Sequence, residues 1–187
     1  MAHLIRKARV PDAGRILELV NALAKQEVML PRSPASVIEN LRDFVIAEGE
    51  DGTFLGCAAL HIVWSDHAEI RSIAVSDAAR GLGIGRELAQ YLIDEANELG
   101  IARLFAFTYV PGFFERLEFV EVEHATLPHK VFGDCMNCPK FHACDEIAML
   151  RVLSENSEVH ARGPLSVPLG VVPARVAARG ASPEARA

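Results

Sequence analysis

The stretch RGLGIGRE, residues 80 to 87, combines residue types that could bind an anion. Its three glycines stand at alternate positions between Arg80 and Arg86. Glycines leave backbone N–H groups accessible, and the start of a helix favours negative charge through the helix dipole. The two arginines could add charge-assisted hydrogen bonds to a second phosphate group. The stretch therefore predicts a diphosphate site, and the structural alternative is that the glycines only allow a tight turn.

The elements on either side of this stretch are predicted to be a strand and a helix. The segment AEIRSIAV, residues 68 to 75, has the pattern of a strand. Apolar residues at helical spacing from Leu88 to Leu99 predict a long amphipathic helix that begins at Gly85 and is stopped by Gly100. The glycine stretch therefore joins a strand to a helix, which is the arrangement that an anion site needs.

The other predicted elements make this strand the fourth in an α+β fold with a mixed, mostly antiparallel sheet flanked by helices. Pro11 and Asp12 suit the first turn of one helix, and Ser33 and Pro34 suit the start of another. The remaining predicted strands cover residues 4–10, 44–48, 53–64, 103–109, 119–122 and 145–153, and further helices cover residues 34–41 and 111–117.

Length and composition limit the organisation and the partners of the chain. With 187 residues, of which 50% are hydrophobic, it can bury one core, and we expect one domain over residues 1–153. Residues 154–187 are expected to form a disordered or loosely packed tail. The 25 acidic against 19 basic residues argue against a nucleic-acid partner. Neither a signal peptide nor a membrane span is predicted, and we expect a cytoplasmic protein.

Two common nucleotide sites fit the glycine stretch poorly. A dinucleotide fold places its glycines after the first strand of a parallel unit, with an acidic residue about twenty positions later. Here the glycines follow the fourth strand of a largely antiparallel series. A nucleotide-triphosphate loop ends in Lys and Ser or Thr, whereas Gly85 is followed by Arg86 and Glu87. Both classes of ligand are therefore disfavoured.

With these motifs and this order of elements, the sequence resembles the GCN5-related N-acetyltransferases, the GNAT superfamily. Their signature, Gln or Arg, two residues, Gly, one residue, then Gly or Ala, is matched by Arg80, Gly83 and Gly85. The resemblance covers residues 4–153. Within the superfamily the chain looks most like the short, single-domain N-acetylglutamate synthases, on the stretches LPRS (30–33), AEIRSIAV and 127–149.

The resemblance implies a GNAT fold whose central sheet is splayed between strands 4 and 5, with acetyl-CoA as co-substrate in the gap. The pantetheine arm would pair with the backbone of Ile73, Ala74 and Val75, and Phe114 would either flank the arm or pack in the core. A backbone N–H near Ile73 would stabilise the thioester oxyanion. The pyrophosphate would be bound by Arg80, Gly81, Leu82, Gly83, Ile84, Gly85 and Arg86.

The resemblance also implies roles in proton transfer. Glu69 matches the carboxylate that takes the amine proton through water in many relatives, and the alternative is a solvated strand end. Many relatives use a tyrosine as general acid at the position of Phe114, which cannot donate a proton. Tyr109 is a substitute donor, or alternatively a packing residue with its hydroxyl hydrogen-bonded.

An amino-acid acceptor needs a cation for its carboxylate, and a guanidinium fits a carboxylate best. Arg71 is the first candidate, because it lies two residues from Glu69 and leaves the same face of a strand. Arg32 in the loop between the first two helices is the second, and Lys130 is the third. For each of them a surface or structural salt bridge is the alternative.

Three cysteines, Cys135, Cys138 and Cys144, could bind zinc with His129 or His142. The second half of this motif lacks the usual spacing of a zinc finger, so we expect no metal and free or transiently oxidised thiols.

Together these features predict an acetyl-CoA-dependent amino-acid N-acetyltransferase that acetylates L-glutamate in arginine biosynthesis by direct transfer in a ternary complex. Glutamine or another small amine is an alternative acceptor. A non-catalytic acetyl-CoA sensor and a cysteine-metal interaction module are alternatives of other classes. The expected partners are a small-molecule amino acid and, as an open option, a second copy in a homodimer.

Overall fold

A seven-stranded mixed sheet organises the computed structural model, which describes residues 2–127 and 143–154. Its spatial order is β1-β2-β3-β4-β5-β7-β6, and neighbours are antiparallel except for β4 and β5. The strands are β1 (His3–Lys7), β2 (Phe44–Gly49), β3 (Phe54–Ile62), β4 (His67–Val75), β5 (Arg103–Thr108), β6 (Val120–Val122) and β7 (Ile147–Val152). The expected α+β class is confirmed.

Within the described ranges, four α-helices cover the sheet: α1 (Ala13–Ala24), α2 (Pro34–Glu39), α3 (Ile84–Glu98) and α4 (Pro111–Glu115). The side-chain oxygen of Ser33 accepts a hydrogen bond from the amide of Ser36, and Pro34 supplies the first residue of α2. Gly83 precedes α3 with a φ of 85°, a left-handed conformation that favours glycine. Local sequence therefore explains where these two helices begin.

In the described residues, apolar cores lie on both faces of the sheet. One lies under α3 and includes Leu88 and Leu92 of that helix, and one lies under α1 and α2 and includes Ile16 and Val20. A smaller third cluster includes Phe105 of β5. Strand β2 shows the alternation between the first two: Val45 and Ala47 pack in the α3 core, whereas Phe44 and Ile46 pack in the α1/α2 core. A side chain on β4 therefore belongs to one of two distinct environments.

The pairing between β4 and β5 is short. Only His67, Ala68 and Glu69 have register partners on β5, with Glu69 opposite Phe105, although β4 continues to Val75. Beyond Glu69 the two strands no longer pair, which confirms the predicted splay between strands 4 and 5. The open side of β4 leaves backbone groups that another molecule can pair with.

A β-bulge at Ser72 accompanies this separation. On β3, Cys57 and Ala59 are two residues apart, but their partners Ala74 and Arg71 on β4 are three residues apart. Ser72 has a φ of 55°, which is uncommon for a residue with a side chain. A bulge bends its strand and resets the alternation of side chains. In β4 the α3 core accordingly receives Ala68 and Ile70 before the bulge and Ile73 and Val75 after it.

The element order is confirmed, but several predicted boundaries were wrong by a few residues. The predicted first strand ran to residue 10, whereas β1 ends at Lys7 and a 3-10 turn, Val10–Asp12, leads into α1. The predicted second helix reached residue 41, whereas α2 ends at Glu39. Leu99, included in the apolar pattern of α3, is 53% exposed and follows the helix. Residue propensities and the spacing of apolar residues do not show where tertiary contacts end a helix or strand.

A buried carboxylate joins α1 to the edge of the sheet. Asp12 is 1% exposed and accepts hydrogen bonds from Arg6, at 2.8 Å to Oδ2, and from Arg15. The same two guanidiniums bind Glu48 of β2. Burial alone would raise the pKa of the Asp12 carboxyl, but hydrogen bonds from Arg6, the Arg9 amide and Arg15 outweigh burial and hold it well below its usual range. The network ties β1, β2 and α1 together.

We predict that Asp12→Asn lowers the free energy of unfolding by about 3 kcal/mol at pH 7, because it removes a buried carboxylate charge that accepts hydrogen bonds from the Arg6 and Arg15 guanidiniums. Since folding lowers the pKa of Asp12, the stabilisation is complete above the unfolded pKa near 3.9 and is lost as the pH falls below it. Urea unfolding at pH 7, 4 and 2.5 should therefore show the wild type and the variant converging in acid.

The control for this test is Asp77→Asn, because the Asp77 side chain is 81% exposed in its pair with Arg80. An exposed pair contributes about 0–1 kcal/mol, so this variant should stay close to the wild type. Equal losses in both variants would contradict the role of the Asp12 network.

Candidate active site

The two faces of β4 present different chemistry beside the gap. Glu69 and Arg71 alternate with Ala68 and Ile70, so their side chains leave the face toward α1 and α2. After the bulge, Ile73 packs on the α3 side. The alternation of side chains therefore gives β4 a polar and an apolar face, and the bulge keeps Ile73 and Val75 on the apolar one.

Glu69 lies in the interior at the last paired position of β4 and β5. It is only 3% exposed and lies opposite His61 on β3 and Phe105 on β5. It is the third residue of β4, so the alternative of a solvated strand end is wrong. A buried carboxylate at the point where two strands separate can face a ligand in the gap.

Arg71 and two groups that the sequence did not single out, Asp43 and His61, lie on the same face. The Oδ2 atom of Asp43 is 2.6 Å from Nδ1 of His61 and 3.6 Å from Nη2 of Arg71. Arg71 is 8% exposed, so it is a buried cation rather than a surface residue. Asp43 therefore provides negative charge to both groups, as burial of a guanidinium requires.

Arg32 reaches the same region from the loop after α1. Asn21 fixes the loop, since its side-chain amide donates to the carbonyl of Arg32 at 3.0 Å and its Oδ1 accepts from the Arg32 amide at 2.9 Å. The Nε atom of Arg32 donates to Ser72 Oγ at 3.3 Å, at the bulge of β4. The structure therefore brings Arg32 to the strand that carries Glu69 and Arg71.

The glycine stretch forms the turn into α3, on the side of the sheet opposite the face that carries Glu69 and Arg71. Gly81 and Gly83 have positive φ values of 77° and 85°, and Arg80 and Arg86 are exposed. Arg80 pairs with Asp77 at 3.0 Å. Among the described residues, no backbone carbonyl accepts a hydrogen bond from the amides of Gly81, Gly83, Ile84, Gly85 or Arg86. A set of exposed amides at the start of a 15-residue helix suits a phosphate group.

The start of α3 packs closely on the free end of β4. A Cβ atom on Gly85 would lie 3.4 Å from Val75 Cγ2, 3.7 Å from Phe113 Cε2 and 4.0 Å from Ile73 Cγ2. Glycine therefore lets the helix approach the strand. As a result the amides of the turn lie next to the gap between β4 and β5, where one extended ligand could touch both.

The two aromatic candidates have different surroundings. Phe114 is 5% exposed in the α3 core and makes edge-on contacts with Phe113 and Phe119, at 5.1 and 5.3 Å between ring centroids. Tyr109 follows β5, and its hydroxyl donates to Asp145 at 2.9 Å. The packing alternatives described for both residues agree with these contacts.

The remaining candidates lie at or beyond the limit of the described residues. Lys130, Cys135 and Cys138 lie outside them, as do His129 and His142. The Sγ atom of Cys144 is 3.9 Å from Nε2 of His124, a residue not considered from the sequence. Within residues 2–127 and 143–154 no three His, Cys, Asp or Glu side chains are placed to bind a metal ion. Burial raises the pKa of the fourth cysteine, Cys57, to about 12, so it is a core residue.

Sequence reasoning missed Asp43, His61 and the bulge at Ser72. His61 could have been found from the period of β3, since Ala59 and His61 leave one face of that strand. Asp43 joins them only because antiparallel pairing places Phe44 opposite Ala59. No residue pattern in AEIRSIAV predicts the positive φ of Ser72.

A sheet that opens beside a glycine-rich helix start, with a buried carboxylate on the other face, defines a site for a transferase that uses a CoA thioester. The model of the acetyltransferase (GNAT) family matches residues 2–119, so the chain belongs to this family. It is an N-acetyltransferase with acetyl-CoA as co-substrate.

Similar proteins include an uncharacterized N-acetyltransferase of Chlorobaculum tepidum, 40% identical over 80% of this chain and 96% of that protein. An amino-acid acetyltransferase of Mycobacterium tuberculosis is 35% identical over 70% of this chain and 76% of its own length.

Two solved structures are also similar. A Mycobacterium tuberculosis protein in complex with CoA has a TM-score of 0.70 and 30% identity, over 81% of this chain and 99% of that one. N-acetylglutamate synthase from Neisseria gonorrhoeae, in complex with coenzyme A and N-acetyl-glutamate, has a TM-score of 0.73 and 30% identity over 82% of this chain. The match spans 36% of that longer protein. In the described part of the present chain, no helix has the length and apolar character needed to span a membrane.

We predict that Gly83→Ala weakens acetyl-CoA binding about tenfold or more, because a side chain at a φ of 85° costs about 1–2 kcal/mol and shifts the amides of the turn. The matched control is Gly52→Ala, at a φ of 81° in the β2–β3 turn, where a Cβ would meet no atom within 4 Å; on Gly83 it would make only an ordinary contact, 3.7 Å from Oε1 of Glu87. Both variants should lose similar stability. Calorimetric titration with CoA should separate them, and equal CoA affinities would contradict the assignment of the turn.

Proposed function

We propose that this N-acetyltransferase transfers the acetyl group of acetyl-CoA directly to the α-amino group of L-glutamate, in a ternary complex, as a step of arginine biosynthesis. The observation that carries the proposal is the polar face of β4, where buried Glu69 and Arg71 lie together and Arg32 reaches the adjacent Ser72. A carboxylate and two guanidiniums match an ammonium group and two carboxylates. The names of the similar amino-acid acetyltransferases and of N-acetylglutamate synthase support the choice of acceptor.

Acetyl-CoA would occupy the gap between β4 and β5 and the turn into α3. Its pantetheine arm would pair with Ile73, Ala74 and Val75, which have no partners on β5. The amides of the glycine turn, with Arg80 and Arg86, would bind the pyrophosphate. A backbone N–H at Ile73 would donate to the thioester oxygen as negative charge develops on it.

Glu69 would act as the general base. An amino group titrates near or above pH 7.7, so the acceptor arrives mainly as an ammonium ion, which cannot attack a thioester. Glu69 takes one proton, and the neutral amine then attacks the acetyl carbon. When the tetrahedral intermediate collapses, the C–S bond breaks and the second amine proton ends on the CoA sulfur.

The leaving thiolate would need little help from the protein. Phe114 has no proton to donate, and the Tyr109 hydroxyl already donates to Asp145, although rotation could free it for the thiolate. A thiol has an ordinary pKa near 8.5, so a thiolate is a tolerable leaving group at neutral pH. Tyr109 remains the candidate donor in the proposed mechanism.

Arg71 would bind the α-carboxylate of the acceptor, because it shares a face and a strand with Glu69. Arg32, the second candidate for the α-carboxylate, would then be left to bind the side-chain carboxylate, and Lys130 is the third candidate for the α-carboxylate. The catalytic unit would span residues 1–153 and would need no metal.

We predict that a thiol-release assay with acetyl-CoA and a panel of amino acids ranks L-glutamate first. Glutamine, glutamate α-amide and an unrelated amine such as spermidine complete the panel. Two anionic groups on the acceptor should give the highest kcat/KM, since each charge-assisted hydrogen bond contributes about 1.5–3 kcal/mol. If glutamate ranks no higher than the unrelated amine, the acceptor assignment is wrong.

We predict that Glu69→Gln lowers kcat by about 10²–10⁴ without changing the affinity for acetyl-CoA, because it removes only the proton acceptor. Glu98→Gln, an exposed substitution near the end of α3, is the control and should keep wild-type kcat. An undiminished rate in Glu69→Gln would exclude Glu69 as the base. Binding of acetyl-CoA with no turnover on any amine in the wild type would instead favour a sensor.

We predict that Arg32→Gln raises the KM for glutamate by about 10-fold to 100-fold, the equivalent of one lost charge-assisted hydrogen bond. The KM for acetyl-CoA should not change, since Arg32 lies on the face away from α3. Glutamine serves as the control acceptor. If Arg32 binds the side-chain carboxylate, Arg32→Gln should change the KM for glutamine less than the KM for glutamate.

A further inference from the structure

A buried general base has to return its proton to solvent after every turnover. Acetylation of an ammonium group releases two protons: one ends on the CoA sulfur and the other must leave the site. In the proposed function Glu69 takes the proton that must leave. Because Glu69 is only 3% exposed, that proton needs an intermediate carrier before it reaches bulk water.

His61 lies in the right place to be that carrier. It is the register partner of Glu69 across the antiparallel β3–β4 ladder, so both side chains leave the same face with Cβ atoms about 4.5–5.5 Å apart. The His61 side chain is 32% exposed, and it therefore borders both the buried carboxylate and solvent. An imidazole gains and loses protons readily near neutral pH.

Asp43 fixes the orientation of the imidazole ring. Its Oδ2 atom accepts a hydrogen bond from Nδ1 of His61 at 2.6 Å, so Nε2 carries the lone pair that can receive a proton. The same oxygen lies 3.6 Å from Arg71. The charged groups on this face near His61 include Asp43, Glu69 and Arg71, and Arg32 reaches the neighbouring Ser72. The carboxylate of Asp43 offsets the positive charge of Arg71, so a protonated imidazole beside it is tolerated.

We propose that His61, held by Asp43, carries the acceptor's proton from Glu69 to solvent. The proton moves from the ammonium nitrogen to the Glu69 carboxylate, then to Nε2 of His61, and then to water or buffer; only N–H and O–H bonds form and break. His61 acts through Glu69, so it is a positioning and relay residue rather than a catalytic one. The inference rests on the role of Glu69 in the proposed function.

The test compares His61→Ala with His61→Gln at pH 7, using acetyl-CoA and whichever amino acid gives the highest rate. We expect kcat to fall about 10-fold to 100-fold in both variants, with an unchanged KM for acetyl-CoA. This loss lies at or below the lower end of the rate effects that general acid–base groups usually contribute. Added imidazole should restore most of the rate of His61→Ala and should not accelerate the wild type. His61→Gln should stay slow, because the glutamine fills the space without carrying a proton.

A second arm uses Asp43→Asn and the double variant. If Asp43 acts on turnover through His61, the double variant His61→Ala with Asp43→Asn has a kcat no lower than that of His61→Ala alone when the acceptor is saturating. Asp43 also lies beside Arg71, so a change in the KM for the acceptor is expected and does not bear on the relay. Thermal unfolding of each variant checks that the fold is kept, and His61→Gln carries the test should His61→Ala unfold. A kcat within twofold of wild type in either His61 variant, or a slow His61→Ala that imidazole does not restore, overturns the proposal.

The outcome for Glu69→Gln separates this inference from the proposed function. If Glu69→Gln is slow but His61→Ala is fully active, the relay through His61 is wrong and the role of Glu69 as general base is retained. A fully active Glu69→Gln overturns both. If the preferred acceptor is not glutamate, the proposed substrate is wrong, but the proposed relay through His61 is unaffected.

Discussion

The loss of pairing between β4 and β5 after Glu69 is the constraint on which the site depends. Parallel strands must stay about 4.8 Å apart to keep their hydrogen bonds, and the bulge at Ser72 accompanies the point where β4 leaves that spacing. The gap exposes the backbone of β4 on a rigid element rather than on a loop. It also places the free end of β4 against the start of α3, where Gly85 permits close contact. The glycine turn and the open strand are therefore neighbours.

The two faces of β4 carry different chemistry. Glu69 and Arg71 leave the face covered by α1 and α2, whereas Ile70 between them packs toward α3. The bulge keeps Ile73 on that apolar side. Buried charges are costly unless paired, and Asp43 lies beside Arg71 and His61 at 3.6 and 2.6 Å. The polar face therefore persists inside the fold because its charges are compensated, while the opposite face keeps an ordinary apolar core.

Much of the element order could be predicted from the sequence, because each element has a local signal. The leucine period marked α3, Ser33 and Pro34 marked α2, and the glycines marked the turn. The signals were weakest at the ends of elements, where β1 and α2 stop earlier than predicted. The sequence also could not place β7 between β5 and β6, because strand order depends on pairing between distant segments.

By itself the sequence determined the α+β class, the glycine turn before α3 and the common face of Glu69 and Arg71, since each follows from local residue patterns. Only the tertiary structure decided that Glu69 is buried, that Arg32 reaches Ser72 and that Asp43 and His61 join the polar face. Those relations join segments 18 to 40 residues apart. They arise from sheet register and from the positive φ of Ser72, and neither is encoded in a local pattern of residue types.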